Sequence, residues 1–155
     1  MGATEFKLDD VEKGIIATLA ADSGVLALNA QVQGLSSRHF DEQGNIIVTP
    51  PAILVSFNSG SDDCTQDTVR TTYQVDYEFF LLCGAADLSS VDKERSSAYV
   101  VIATARHAIA GKRFQLDGGA VLSGPTALAG IEPYQFDANG VWYLQKISVP
   151  KTAQF

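Results

Sequence analysis

Two histidines, two cysteines and one acidic run are the side chains of this chain with the most potential for chemistry. His39 and His107 are the only histidines, and neither has partners at the spacing that a metal site or an acid–base pair needs. Such partners would have to come from elsewhere in the chain. We therefore expect structural roles for both histidines, with His107 on a helix surface or half-buried.

The acidic run is Asp62-Asp63-Cys64-Thr65-Gln66-Asp67, which holds three carboxylates in six positions. A calcium loop needs alternating oxygen ligands, a central glycine and a closing glutamate, and the run lacks that register. It lies in a predicted loop at residues 58–67, where no core packing explains the charges. We therefore interpret it as a solvated loop that reaches a neighbouring subunit or a partner protein, or else lines a channel. The residues assigned to this contact are Asp62, Asp63, Asp67 and Arg70.

No other motif predicts an enzyme. Gly118-Gly119-Ala120 is not followed by the lysine and helix start of a phosphate-binding loop. Ser59 and Ser123 lack the Gly-x-Ser-x-Gly elbow and a nearby base. The sequence therefore predicts no catalytic residue, no cofactor and no metal ligand.

Composition limits the class of protein. With 155 residues, 46% of them hydrophobic and 19% charged, the chain is expected to form one globular domain, 1–155, with a structured core at about 9–149. The net charge is −7 and the eleven cations are scattered, which disfavours specific binding of DNA or RNA. No apolar stretch is long enough to cross a bilayer, and the first residues do not resemble a signal peptide.

The two cysteines are expected to be free thiols, because a chain without an export signal is expected in a reducing compartment. Cys83 ends an apolar strand and is predicted to be a small buried hydrophobic residue. Cys64 is predicted to be exposed in the acidic loop. A disulfide between them is the less favoured alternative.

The order of helix and strand signals predicts an α+β fold, with a mixed or antiparallel sheet, two main helices packed on it and a closing β-hairpin. Pro50 and Pro51 mark the start of a buried apolar strand, because they lack the amide hydrogens that a helix or a central strand needs. The first predicted element is a helix that is capped by Asp9 or Asp10 and stopped at Asp22-Ser23-Gly24. A short strand within 25–37, a loop at 36–49 and strands at 52–57 and 68–83 follow. The chain then continues with a helix at 91–110 and a hairpin of strands 131–136 and 141–149.

The second long helix is predicted to pack against the long strand. Its inner stripe is predicted to include Tyr99, Ile102, Arg106 and Ile109. If Tyr99 is fully buried there, its truncation to alanine should cost about 3–5 kcal/mol of folding free energy. The strand face expected beneath this stripe consists of Val69, Tyr73, Val75, Tyr77 and Phe79.

Five segments of the chain carry a resemblance to a known family. They are Ile15-Ile16-Ala17-Thr18-Leu19, Pro51-Ala52-Ile53-Leu54-Val55-Ser56-Phe57, Tyr73-Gln74-Val75-Asp76-Tyr77-Glu78-Phe79, the helix residues Arg95, Tyr99, Ala105-Arg106 and Ile109-Ala110-Gly111, and Val141-Trp142-Tyr143-Leu144-Gln145-Lys146-Ile147-Ser148-Val149. In this order and spacing, over residues 9–149, they resemble the Mu-like phage tail-terminator family.

This resemblance implies a structural virion protein without catalysis. It implies an α+β subunit that forms a ring-shaped homo-oligomer, expected to be a hexamer, on the head-proximal end of a tail tube. The expected partners are further copies of the chain, the tube protein and head–neck connector proteins, with DNA only as passing cargo. The expected location is the virion, after assembly in the host cytoplasm. The alternatives are another neck or baseplate component, or a non-catalytic binding module of similar fold.

Overall fold

The computed structural model describes residues 8–66, 71–85, 91–116, 121–137 and 140–154. In chain order its elements are α1 (Leu8–Ala21), α2 (Ser23–Ala27), β1 (Gln31–Gly34), a 3-10 turn (Ser37–His39), β2 (Ala52–Gln66), β3 (Thr71–Ala85), α3 (Val91–Ile109), β4 (Gln115–Leu116), β5 (Val121–Leu122), β6 (Ala127–Asp137) and β7 (Gly140–Gln154). Helices and one mainly antiparallel sheet confirm the predicted α+β class.

A five-stranded sheet with the order β1-β2-β3-β7-β6 forms the centre of the fold. β1 is parallel to β2, and every other neighbouring pair is antiparallel. The sheet is therefore mixed, as predicted. The closing hairpin is also confirmed, because β6 and β7 pair up to Asp137 and Gly140. β4 and β5 form a separate two-stranded ribbon.

Both long helices pack on one face of the sheet. α1 buries Val11, Ile15 and Leu19, which recur every four residues. α3 uses small residues that let its backbone approach the strands closely. Its buried stripe consists of Ala98, Val101, Ile102, Ala105, Ala108 and Ile109, and it shares one core with Ile53, Val55, Phe79, Leu81, Ile147 and Val149 of the strands.

The opposite face of the sheet is covered by the loop that precedes β2. Ile46 of this loop is fully buried against Trp142 and Leu54, and Leu35, Phe40 and Val48 pack beside it. Because β3 is covered on both sides here, its residues 79–82 are apolar on both faces: Phe79 and Leu81 belong to the core beneath the helices, and Phe80 and Leu82 to the cluster around Ile46.

Three predictions from the sequence are wrong in detail. Asp9 and Asp10 lie in the first turn of α1 and do not cap it, and Asp9 instead forms an ion pair with Lys13 at 2.8 Å. Residues 58–66 are not a loop, since β2 continues through them in register with β3. Tyr99 is not buried, because 53% of its surface is exposed.

The continuation of β2 creates a three-stranded arm, which we define as residues 59–66 of β2, 71–78 of β3 and 148–154 of β7. A register shift between Phe57 and Ser59 accommodates the turn-forming residues without breaking the strand. β1 pairs only with residues 52–55 of β2, and β6 pairs with β7 no further than Ser148. The arm therefore extends past both outer strands of the sheet.

Candidate assembly surface

Neither histidine belongs to a reactive site. His39 is buried, and its Nδ1 accepts the backbone N–H of Ser36 at 2.9 Å. Nε2 therefore carries the proton and donates to Oε1 of Gln33 at 3.2 Å. His107 is exposed on α3, as predicted. In the described part of the chain, no three His, Cys, Asp or Glu side chains gather into a group that could hold a metal ion.

Cys83 is a buried free thiol, as predicted. Burial raises its pKa to about 12, so the unreactive thiol persists at physiological pH. Cys83 pairs with Ile53 in the sheet, whereas Cys64 pairs with Tyr73. Eleven positions of β2 separate Ile53 from Cys64, about 36 Å at the rise of a strand. A disulfide needs Cα atoms within about 7 Å, so a bridge between Cys64 and Cys83 of one copy is excluded.

Two of the predicted contact residues, Asp62 and Asp63, fall on the arm. Asp62 pairs with Val75 and Asp63 with Gln74, so both belong to β2, where backbone pairing with β3 overrides the turn propensity of their neighbours. Consecutive positions of a strand lie on opposite faces of its sheet. Asp62 and Asp63 therefore occupy successive positions of β2, on opposite faces of the sheet. Asp67 and Arg70 lie outside the described residues.

Two edges of the sheet are open in the described part of the chain. No described strand pairs with the outer edge of β6, which is 11 residues long and exposed over most of its length. Likewise, no described strand pairs with the outer edge of β2 from residue 56 to residue 66, since β1 ends opposite Val55. These two edges lie on opposite sides of the same sheet. Open edges offer unpaired N–H and C=O groups to another chain.

An apolar groove lies between α3 and β6, where the helix layer stops short of the edge strand. Its floor is the half-buried Tyr143, whose ring centroid is 5.6 Å from that of Tyr99 and 5.5 Å from that of Phe136. More than half of the surface of Tyr99 and Phe136 is exposed. The groove has a volume of ≈ 240 Å³ and is lined by Tyr99, Ile102, Ala103, Arg106, Ile131 and Tyr143.

Tyr99 lies in this groove and not in the buried stripe predicted from the sequence. A signal was available, because Ala98, Ile102, Ala105 and Ile109 repeat at helical spacing and account for the buried stripe. Tyr99 follows Ala98 by one residue, which turns it about 100° away from the stripe on an α-helix. Arg106, also predicted for the inner stripe, is half-buried at the groove.

Two glutamine side chains hold β6 in place. The Nε2 of buried Gln145 donates to the carbonyl of Gly130 at 3.0 Å and to that of Lys146 at 2.7 Å. The first of these bonds satisfies the Gly130 carbonyl at the register shift between Leu128 and Gly130, where strand pairing is interrupted. The Oε1 of Gln135 accepts the backbone N–H of Ile46 at 2.9 Å. β6 is thus tied to β7 and to the loop before β2, while no described strand pairs with its outer edge.

A second apolar groove, of ≈ 270 Å³, lies at the end of the sheet opposite the arm. It is lined by Leu28, Pro51, Ala85, Ser97, Val100 and Val101. The nearby helix residue Leu26 is also largely exposed. The two ends of the subunit therefore present different surfaces.

No helix in the described ranges is long and apolar enough to cross a membrane. No curated protein matches the chain in a sequence comparison. In structure the chain is similar to a chain of the "Virion of native gene transfer agent (GTA) particle", with a TM-score of 0.57 and 12% sequence identity over 94% of this chain and 96% of that chain. At this identity the likeness shows a shared fold.

The family model described as "Bacteriophage Mu, Gp37" matches residues 7–116. The matched range runs from α1 to β4 and includes β2, β3 and α3, whereas β6 and β7 follow it. Together with the shared fold, this match supports a structural protein of the phage virion, of the tail or neck kind. The match spans well over half of the chain and confirms the resemblance found in the sequence: the chain belongs to the bacteriophage Mu Gp37 family.

Proposed function

We propose that this protein is a tail terminator, whose copies close a ring on the head-proximal end of a phage tail tube. The ring ends tube polymerisation and presents the docking surface for the head–neck connector. The observation that carries this proposal is the pair of open edges on opposite sides of one sheet.

Two different surfaces on opposite sides of a subunit favour head-to-tail contacts. A contact of this kind repeats around an axis, and it closes into a ring when the rotation between copies divides a full turn. A self-complementary dimer would use one surface twice and leave the other open. The apolar groove beside β6 supports the same conclusion, since exposed aromatic residues rimmed by polar ones mark protein contacts.

The two ends of such a ring would serve two partners. The arm lies at one end of each subunit and the groove around Val100 and Pro51 at the other. We assign these ends to the tube protein and to the connector, without choosing between the two orientations. Assembly would take place in the host cytoplasm, and the protein would remain in the virion.

The acidic charge of the chain fits a ring around a DNA channel. Each copy carries a formal net charge of −7, so six copies bring about six times that charge to one ring. Like charges keep DNA from adhering to the wall, so that it passes as cargo without specific binding. The mechanism needs no catalytic residue.

The experiment is complementation of a phage that lacks its own terminator, with electron microscopy of the tails. We expect tails of uniform length and restored plaque yield with the wild-type chain. A variant with Tyr99→Ala and Phe136→Ala should leave tails overgrown, because its contact surface is lost. A matched control is His107→Ala, which is exposed on the same helix outside the groove. Overgrown tails with the wild-type chain, produced as folded protein, would contradict the proposal.

A further inference from the structure

We infer that the contact between neighbouring copies is a continuation of the β-sheet. Residues 56–66 on the open edge of β2 in one copy pair antiparallel with the open edge of β6 in the next copy. This inference rests on the proposed ring and names the two surfaces that form it. It also places Asp62 and Asp63 at the contact as residues of a strand, where the sequence predicted a loop.

The strand directions within one copy agree with this pairing. Going from β2 through β3 and β7 to β6 crosses three antiparallel pairs, so β2 and β6 run in opposite directions. Rotation about the ring axis keeps the sense in which each strand runs along that axis. The β6 edge of one copy therefore meets the β2 edge of the next copy in the antiparallel sense, as the strands within the sheet do.

The relative heights of the two edges set the register. Ala127 pairs with Ser148, Ser148 with Glu78, and Glu78 with Ser59, so Ala127 is level with Ser59. The open edge of β2 begins near this level and continues to Gln66. β6 of one copy must therefore be displaced along the strands to overlap the open edge of the next.

A tilted sheet provides this displacement. Strands of closed sheets tilt by about 35–45° from the axis, and the four strands from β2 to β6 are about 19 Å wide. The displacement between copies along the strand direction is this width multiplied by the tangent of the tilt, about 13–19 Å, or about four to six residues. Because paired residues share a face, a continuous sheet requires the displacement to be an even number of residues. Thr126 already exchanges backbone hydrogen bonds with Gly111 and Lys112, so Cys64 does not lie opposite it, as a displacement of four residues would require. The six-residue displacement remains, in which Ala127 lies opposite Thr65 and Cys64 opposite Leu128.

Charge and apolar surface both fit this register. Asp62 comes to lie opposite Gly130 of the next copy, one strand away from Lys146, which pairs with Gly130. Asp63 lies opposite Ala129, on the other face of the sheet. Within the described ranges, neither Lys146 nor Arg106 forms an ion pair. At the inner end of the edge, the partly exposed Phe57 lies near the exposed residues Tyr134 and Phe136.

The test is disulfide cross-linking with the native Cys64. Leu128→Cys is made with Cys64 present, and Cys83 stays silent because it is buried. Under mild oxidation we expect this variant to give covalent dimers and higher oligomers, which vanish when Cys64→Ser is added. Glu132→Cys is the control on the same strand, about 13 Å beyond Leu128 and out of disulfide reach.

Leu128 is half-buried, so a second design uses the exposed Ala127. In a Cys64→Ser background, Ala127→Cys combined with Thr65→Cys should cross-link, and more strongly than Ala127→Cys combined with Asp63→Cys. The mass of the wild-type oligomer, with and without tube protein, is measured in parallel.

The outcomes separate the inference from the proposed function. A ring with cross-links in the predicted register supports both. A ring without cross-links in either design, or with equal cross-linking from Glu132→Cys, overturns the sheet continuation and leaves the terminator proposal standing. Absence of any ring, even with tube protein present, overturns both.

Discussion

Replacing Gly84 by alanine should destabilise the protein, although alanine is normally the better residue in a strand. Gly84 of β3 lies opposite Trp142 of β7, and a Cβ on Gly84 would stand 2.5 Å from the indole atoms Cδ2 and Cε3. Trp142 is fully buried between strands and the loop around Ile46, so its ring cannot move aside freely.

Two opposing terms set the magnitude. Alanine in place of a strand glycine raises the unfolding free energy by about 0.5–1 kcal/mol, because the unfolded chain has less conformational entropy. Overpacking of a filled core costs about 1–3 kcal/mol, and a displacement of about 1 Å for the largest core side chain belongs near the upper end of that range. We therefore expect a net loss of about 2 kcal/mol, which lowers Tm by about 4–8 °C in a domain of this size.

The assay is urea unfolding followed by far-UV circular dichroism. Gly34→Ala in β1 is the control, because its nearest neighbour is the flexible Glu12 carboxylate, at 2.9 Å, and its stability should stay within about 0.5 kcal/mol of wild type. In a Trp142→Leu background the penalty of Gly84→Ala should largely disappear, which a double-mutant cycle measures. A Gly84→Ala protein as stable as wild type would refute the packing described between β3 and β7.

Three further predictions concern the groove, the edge strand and the buried thiol. Tyr99→Ala and Phe136→Ala should each lower the unfolding free energy of the monomer by less than about 1 kcal/mol, because both rings are largely exposed. A loss of about 3 kcal/mol, measured by urea unfolding, would instead place these rings in the core. Gln145→Glu replaces a donor with an acceptor that faces the Gly130 carbonyl. It should lower the unfolding free energy by at least about 2 kcal/mol at pH 7, and by less at pH 4, where the carboxyl group can donate. An equal loss at both pH values would count against this role of Gln145. Because the pKa of Cys83 is raised from 9.0 to about 12, the folded state keeps a proton that the unfolded state releases. Stability should therefore fall between pH 9 and pH 12 by up to about 1.4 kcal/mol per pH unit, and urea unfolding of Cys83→Val should lack this part of the slope.

The helices and the closing hairpin could be predicted because their signals are local. α3 was predicted at 91–110 and spans Val91–Ile109, since apolar residues at helical spacing end at Gly111. The hairpin follows from Asp137-Ala138-Asn139-Gly140 between two apolar strands, and its strands pair up to Asp137 and Gly140. The short strand β1 also falls within the predicted range.

The length of β2 could not be derived from local signals. Asn58, Ser59 and Gly60 favour a turn, but their backbone groups pair with β3 across a register shift. Such pairing depends on residues about 20 positions away in the sequence, which local propensity does not report. The same limit hid the arm and displaced Asp62 and Asp63 from the predicted loop into a strand.

The open edges could not be predicted from sequence, because an edge is defined by which strand lacks a neighbour. β6 carries the exposed residues Ile131, Tyr134 and Phe136, and such apolar residues would equally suit a strand inside a sheet. Its position became clear only from the strand order. The candidate contact surface is therefore a property of the topology more than of any motif.

Electron microscopy of tubes assembled from tail tube protein in the presence of this protein tests the terminator proposal most directly. We expect a ring of six copies, about six times 16.5 kDa in mass, at one end of each tube, and tubes that stop growing once this end is occupied. Tubes with two bare ends that lengthen at the same rate with or without the protein would contradict the proposed function.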